Sequence, residues 1–438
     1  MNKILIISDY FAPDNEIGAI RLTKISKYLS LSGFSVDVLK RGFSTRKEDI
    51  LLKNDLKYIN KIFEVNNSGF FRVLYKKLYT QNIDNRYNEN EKKKTIIKSL
   101  KKVFILRQVK LFIFYVIGFL IDINYKNNAV KKTKINFTAY DLFLSSYGPL
   151  SNHSIGLFLK KKFKNVLWIA DFRDPIRNDV YPDIIKYFFG LYEKKIINYA
   201  DIITSVSPNF IYNPTHKLNV ISNGYDLDDY NDHCDSLYGN DKFVFSYTGS
   251  LYNGKQDITV FFKILKELIE EKIIIEEDLE IIYAGKNANL FSDQYKNLLS
   301  DNIINNFGYV TRKESIDIQK KSNILILASW NEIDYQGHIT GKLYEYLMSK
   351  KPILCIIEGT VPNSLLKEII SIAKIGCCYE RANSQIDYFV LKEYIKNHYL
   401  IWKTKTNTDF LQNTEYINQF NYKNIVNQLI NLIEKHIT

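Results

Sequence analysis

The amino-acid sequence predicts an α/β protein made of two Rossmann-like, doubly wound domains. Short apolar strands alternate with amphipathic helices along most of the chain, the pattern of a parallel sheet wrapped by helices. At 438 residues the chain exceeds one ordinary core, so it is expected to divide. The rhythm is broken once by a block rich in Tyr, Lys and Asn, and once by an Asp- and Asn-rich stretch. The first break reads as an insertion and the second as a linker.

In order, a strand is expected near residues 3–8, a helix from about 19–32, and a strand at Val36-Asp37-Val38-Leu39. Residues 66–135 form the insertion, after which Asp141-Leu142-Phe143-Leu144-Ser145 resumes the pattern. Further strands follow at Val166-Leu167-Trp168-Ile169-Ala170 and Asp201-Ile202-Ile203-Thr204, and Val220-Ile221 runs into an Asn223-Gly224 turn. The first domain thus covers 1–235, with 227–241 as linker. The second covers 242–410, restarting at Phe243-Val244-Phe245-Ser246-Tyr247 and continuing at Leu279-Glu280-Ile281-Ile282-Tyr283-Ala284.

Apolar residues make up 46% of the chain and charged residues 25%, a balance that fits large buried cores and excludes a disordered protein. Cys234, Cys355, Cys377 and Cys378 have no metal-ligand spacing, and no metal or other cofactor is expected. The first strand begins within three residues of Met1, which leaves no room for a signal peptide and makes the cytoplasm the expected compartment.

The net charge of +12 is concentrated. Residues 91–134 hold twelve Lys or Arg against Glu91 and Asp122. Within them Leu111 to Ile121 is an apolar run of eleven residues, well short of the ~20 needed to span a bilayer. A basic, aromatic helix of this kind lies in the membrane interface, where each lysine near anionic headgroups contributes about 1 kcal/mol. The bland reading is a buried helix with a solvated basic flank. Nucleic acid is not an expected partner, because no zinc, helix-turn-helix or RNA-binding signature accompanies the charge.

The most telling segment is Ile324-Leu325-Ile326-Leu327-Ala328-Ser329, a polar loop, then Gly337-His338-Ile339-Thr340-Gly341-Lys342-Leu343-Tyr344-Glu345. It reads as strand, glycine-bearing loop and helix. Glycines admit a ligand close to the backbone, and the free N–H groups opening the helix attract an anion such as a diphosphate. Glu345, one turn inside, suits ribose hydroxyls better than phosphate. Together these features suggest a nucleotide-sugar site.

Loops after strands carry ligands in open α/β sheets, which singles out Thr248-Gly249-Ser250 with Lys255, Gly285, and Gly308 with Val310. In the first half the same rule selects Gly18 and Arg21, His153 at a helix start, and Asp171, Arg173 and Asp174 after a buried strand. Each has a plainer alternative: turn chemistry for the glycines, local hydrogen bonds for His153, and a structural ion pair for Arg173.

The segment from Gly337 through Lys351-Pro352-Ile353-Leu354 resembles the donor-binding motif of glycosyltransferase family 4, enzymes of the GT-B fold. Ile4-Leu5-Ile6-Ile7-Ser8-Asp9-Tyr10-Phe11-Ala12-Pro13 with Gly18 and Arg21 resembles the family's first strand and acceptor-facing glycine loop. Ile221-Ser222-Asn223-Gly224-Tyr225-Asp226 resembles the turn closing its first domain. Trp168-Ile169-Ala170-Asp171-Phe172-Arg173-Asp174-Pro175 is similar to a signature of bacterial surface-polysaccharide enzymes. These matches span roughly residues 3 to 357 in order.

The resemblance implies two domains facing a central cleft, with residues 411–438 crossing back to the first. It implies anomer-retaining transfer without a metal, from a nucleotide-sugar, UDP-linked, to a lipid-linked saccharide. The donor side would comprise Gly249, Ser250, Lys255, Gly285, Val310, His338, Ile339, Thr340, Gly341, Lys342 and Glu345. The acceptor side would comprise Gly18, Arg21, Asp171, Arg173 and Asp174, and His153, Asp174, Lys255 and Glu345 would serve catalysis. Two departures stand out: Ser250 replaces the family's arginine, and Gly337 replaces its first carboxylate, with Glu332 five residues earlier as a substitute. An epimerase of the same fold, or a non-catalytic membrane scaffold, remains an alternative.

Overall fold

The structure is a computed structural model that describes residues 3–42, 47–88, 100–177, 181–211, 215, 217–230, 241–252, 254–295, 298–333, 339–405 and 410–436. The chain divides into two compact units, Met1–Ser222 with Ile425–Thr438, and Asn223–Asn424.

In the first unit the strands are β1 (Lys3–Ile7), β2 (Ser35–Arg41), β3 (Lys61–Val65), β4 (Leu142–Ser146), β5 (Leu167–Phe172), β6 (Ile202–Ser205) and β7 (Leu218–Val220). Its helices are α1 (Ile17–Leu31), α2 (Ile50–Asn54), α3 (Gly69–Asn88), α4 (Leu100–Lys131), α5 (Leu150–Lys162) and α6 (Asp183–Tyr199). The sheet runs β3-β2-β1-β4-β5-β6-β7, and every pairing is parallel. Ile4 to Ile7 are wholly buried, as expected of a central strand covered on both faces. Ile6 pairs with Val38 on one side and Leu144 on the other. Strand order therefore reverses between β1 and β4, which opens a crevice at their carboxyl ends.

The second unit repeats this plan. Its strands are β8 (Phe243–Thr248), β9 (Leu279–Ala284), β10 (Ile304–Gly308), β11 (Ile324–Trp330), β12 (Ile353–Glu358) and β13 (Gly376–Glu380). Its helices are α7 (Thr259–Glu270), α8 (Ala288–Tyr295), α9 (Arg312–Lys321), α10 (Gly341–Ser349), α11 (Leu365–Ala373), α12 (Ser384–Lys403) and α13 (Thr414–Asn418). The parallel order is β10-β9-β8-β11-β12-β13, so the switch point lies between β8 and β11. Phe245, Phe261, Tyr283 and Tyr399 anchor its core, as Phe143, Trp168 and Tyr125 anchor that of the first unit. A last helix, α14 (Tyr422–Glu434), lies from Ile425 onward in the first unit.

The structure differs from the sequence reading in two places. The chain divides after Ser222, ahead of the linker expected at 227–241, because Tyr225 bridges to Asn421 and Tyr230 donates to the Ser349 carbonyl at 3.4 Å. Strand β5 continues to Phe172, so Asp171 lies inside the strand and not in the loop after it. The apolar run at 111–121 is the middle of the 32-residue α4.

One side of α4 buries Ile121, Tyr125, Asn128 and Ala129. On another side Val109, Phe112, Ile113, Val116, Phe119 and Leu120 are 36% to 50% exposed, a helical stripe. Helix α6 exposes Ile184, Tyr187, Phe188 and Leu191 at the same spacing. The two helices are linked through Tyr181, whose ring meets Tyr115 at 4.7 Å and Phe189 at 5.4 Å. Among the described residues no helix is long and apolar enough to cross a membrane. Residues 91–99 of the basic segment lie outside the described residues.

Candidate functional site

At the switch point of the second sheet, β8 ends in Thr248 and the chain turns through Gly249 at φ +133°, a conformation that excludes most side chains. The Gly249 N–H donates to the Ala284 carbonyl at 2.6 Å, tying the β8 loop to the end of β9. A Cβ on Gly249 would lie 2.1 Å from Lys342 Cε, and one on Gly285 would lie 2.0 Å from the Gly249 carbonyl. These two glycines thus let the β8 loop, the β9 loop and the start of α10 converge.

Lys342 occupies the space they leave. Its Nζ donates to the Tyr247 hydroxyl and to the Ser250 carbonyl at 3.3 Å, and sits 4.0 Å above the Tyr247 ring centre. Burial lowers its pKa to about 7, with Glu345 pulling the other way. Ser250 itself carries no charge. Here the cation at that spot comes from α10 instead. Thr340 caps α10, its hydroxyl accepting the Lys342 N–H at 3.3 Å, and Ile339 and Thr340 are half-buried beside the exposed Gly341. The positive end of the helix dipole therefore coincides with Lys342.

Glu345 stands one turn further along α10 with 22% of its side chain exposed. Its Oε1 accepts from Gln319 Nε2 and, at 3.3 Å, from Ser315 Oγ, while Oε2 is 3.8 Å from Arg312 Nε. Arg312 in turn pairs with Asp229 at 2.7 Å. Arg312, Ser315 and Gln319 lie on one face of α9, whose first turn follows half-buried Val310 directly. The sequence reading missed these partners. Their i, i+3, i+7 spacing was the available signal, a polar stripe on a helix facing Glu345.

Lys255 is exposed, with Nζ 5.1 Å from the Trp330 ring centre. Gln256 fastens this loop to β11 by donating to the Ala328 carbonyl at 2.7 Å, so the loop after one switch-point strand is held to the other strand. Glu332 is exposed, and its carboxylate accepts from Thr360 Oγ1 at 2.8 Å. Gly337 and His338 lie outside the described residues.

In the first unit the charged residues are largely spent on the frame. Arg21 forks onto Asp171 with bonds of 3.1 and 2.8 Å and also donates to the carbonyls of Ser222 and Ile221. Asp171 accepts further from Ser146 and Thr204, and both members of the pair are all but fully buried. Burial alone would raise the Asp171 pKa. The Arg21 charge and these hydrogen bonds overcome it and hold the pKa below the usual carboxylate range. The pair is a strut that ties α1 to the ends of β4, β5 and β6.

Arg173 donates to the carbonyls of Gly18 at 2.6 Å and Gly148 at 3.1 Å and lies 4.9 Å from the Tyr10 ring centre. A Cβ at Gly18 would fall 2.1 Å from its Nη1, so this glycine makes room for a side chain that staples three loops. Asp174, whose side chain is 63% exposed, is the outward-facing member of the group. His153 has no exposure at all. Its Nδ1 meets Ser145 Oγ at 2.8 Å, its ring packs on Phe172, and burial pushes its pKa down to about 3. The structure thus shows a neutral, buried histidine whose Nε2 has no hydrogen-bond partner among the described residues.

No family model and no curated protein matches this chain in sequence. Solved structures do match over its whole length. Sucrose-phosphate synthase from Thermosynechococcus elongatus superposes with TM-score 0.59 at 14% identity, covering 100% of this chain and 99% of that one. The two parallel sheets and their switch points belong to one architecture. The chain has the GT-B fold. TarM matches with TM-score 0.56 at 12% identity, covering 99% of this chain and 98% of its own. UDP-GlcNAc 2-epimerase from Neisseria meningitidis, solved with UDP-GlcNAc, matches with TM-score 0.50 at 11% identity, covering 99% and 100%. A synthase and an epimerase thus share this GT-B frame, and the distinction lies in the sites built on it.

Proposed function

We propose that the chain is a glycosyltransferase that takes a sugar from a UDP-linked donor and transfers it to a polyprenyl-diphosphate-linked saccharide in capsule, O-antigen or exopolysaccharide synthesis. Transfer proceeds with retention at the anomeric carbon and without an essential metal. The observation that carries the reading is Lys342, placed by Gly249 and Gly285 at the N-terminus of α10, with Glu345 one turn behind it.

In this reading the α10 N-terminus and Lys342 stabilise the charge that develops on the departing diphosphate, which needs electrostatic help more than it needs a strong nucleophile. Lys255 leaves the Trp330 face and adds a second cation. Glu345 accepts from the ribose hydroxyls, aimed by Gln319 and Ser315. UDP accompanies two structures of this fold, a TarM variant from S. aureus and, as UDP-GlcNAc, the N. meningitidis epimerase, which supports a UDP donor. The exposed stripes of α4 and α6 and the basic segment at 91–134 support docking on an anionic membrane surface at its cytoplasmic face, where a polyprenyl acceptor resides.

The test is release of UDP and of GDP from a panel of sugar nucleotides, with and without a polyprenyl-diphosphate-linked saccharide, for wild type and Glu345→Ala. Release that requires the acceptor and collapses in the variant is expected. Turnover of UDP-sugar without any acceptor would make the chain an epimerase. No turnover in a folded, liposome-binding protein would make it a scaffold.

A further inference from the structure

The first unit carries a cavity of about 250 Å³ at the carboxyl ends of β2 and β3, closed on one side by Pro13 and Asp14 of the loop after β1, and no role assigned so far uses it. Arg41, the last residue of β2, forms its floor. The guanidinium is clamped between the rings of Tyr75 and Tyr125, each centre 4.3 Å away, and is bonded to Asp122 at 2.9 Å and Ser151 at 3.2 Å. Burial opposes its charge, but Asp9, Tyr75 and Asp122 more than compensate, so it stays a fixed cation. Tyr75, which lines the cavity, is further held by its hydroxyl bond to Asp9 at 3.3 Å. The base of the cavity is therefore rigid before any ligand arrives.

The wall asks for a particular chemistry. Asn67 lines the cavity and is only 4% exposed; its Nδ2 is committed to the Ile121 carbonyl at 2.7 Å and to Asn124 at 3.1 Å. Its Oδ1 has no hydrogen-bond partner among the described residues, and a buried acceptor left so is costly unless a ligand donates to it. Glu64 and Arg72 also line the cavity, both exposed and with no ion pair or hydrogen bond among the described residues. The lining as a whole sets Lys40, Arg41, Arg72 and Lys76 against Asp14, Glu48 and Glu64, beside the Tyr75 ring, and such a wall of interspersed donors and acceptors matches a polyhydroxyl ring. Gly42 keeps the cavity open, since a Cβ there would meet the Asn66 side chain at 2.8 Å.

We infer that this cavity binds a sugar unit of the acceptor saccharide other than the one that reacts. The inference rests on the glycosyltransferase reading above. In the order β3-β2-β1-β4, the gap between β3 and β2 lies two strand spacings from the crevice between β1 and β4, about 10 Å. A sugar seated there is too far away to react and close enough to belong to the same oligosaccharide. The volume is near the lower end for small-molecule sites, about 300 Å³, which fits one ring and not a lipid chain.

The experiment is saturation-transfer NMR on the full-length chain with a panel of free mono-, di- and trisaccharides, run beside UDP binding by calorimetry. Wild type is compared with Glu64→Gln, Arg72→Ala, Gly42→Val and Lys342→Met. Saccharide binding that weakens about tenfold in the Glu64 and Arg72 variants, as for loss of one charge-assisted bond, and vanishes in Gly42→Val, with UDP binding unchanged, supports the inference. Glu64 and Arg72 are exposed, so these two variants keep the fold. If UDP binds and depends on Lys342, but no saccharide binds or all first-unit variants bind it as wild type does, the subsite is refuted and the glycosyltransferase reading stands. If neither UDP nor saccharide binds, both fall.

Discussion

Raising the pH from 7 to 9 should weaken UDP binding about 50-fold through Lys342 alone. In the free protein burial against Tyr247 lowers this lysine to about 7, so half of it is neutral at neutral pH. A bound diphosphate restores the ordinary value of about 10.4 or higher. Binding therefore takes up a proton, and above pH 7 the dissociation constant rises by a factor approaching ten per unit, or about 1.4 kcal/mol. At pH 9 only about 1% of the free lysine is protonated, against half at pH 7, which gives the 50-fold change, roughly 2.3 kcal/mol. The terminal phosphate of UDP, with a pKa of about 6, is already ionised across this range and adds little. Isothermal titration calorimetry from pH 7 to 9, repeated in two buffers of different ionisation enthalpy, reads both the slope and the proton uptake. Lys342→Met should bind weakly and with no slope. A flat profile in the wild type, or a slope that survives in Lys342→Met, refutes the reasoning.

Gly249→Ala should abolish UDP binding and lower stability by about 1–3 kcal/mol, since its Cβ meets Lys342 at 2.1 Å and φ is +133°; thermal denaturation and the same calorimetry check it. Asp171→Ala leaves Arg21 buried without its partner and should cost about 3–5 kcal/mol, visible in urea unfolding. His153 has a folded pKa of about 3, below its unfolded value near 6.5, so the unfolded chain takes the proton first and stability falls as pH drops from 6.5 toward 3. His153→Phe should flatten that limb by about 1.4 kcal/mol per pH unit, and an unchanged acid limb would count against a neutral buried histidine. Replacing exposed Phe112 and Phe188 together by Glu should abolish sedimentation with anionic liposomes while leaving UDP binding intact.

Much of the fold was legible along the chain because its information is local. Period and length mark Ile4 to Ile7, Phe243 to Tyr247 and Ile324 to Leu327 as buried parallel strands, and composition marks 66–135 as a departure from the rhythm. Gly249, Gly285 and the start of α10 were also readable, since a glycine after a strand and a helix N-terminus are backbone features that sequence encodes directly.

What the sequence could not decide is which charges are spent inside the fold. Arg21, Asp171 and His153 have the residue types and loop positions of a site. Only the packing of β4, β5 and α5 shows that the first two neutralise each other and the third is sealed in the core. The same limit works in the other direction. Lys342 was placed on the donor side by its motif but without the partners that bury it, and Asn67, Glu64 and Arg72 carried no motif at all. Their meaning comes from neighbours far away in sequence: Tyr247 and Ser250 for the lysine, Arg41 and Tyr75 for the cavity. Hydrophobic periodicity is set residue by residue, so one strand of text determines it. The state of a polar group depends on what desolvates and pairs it, and that is a property of the folded structure.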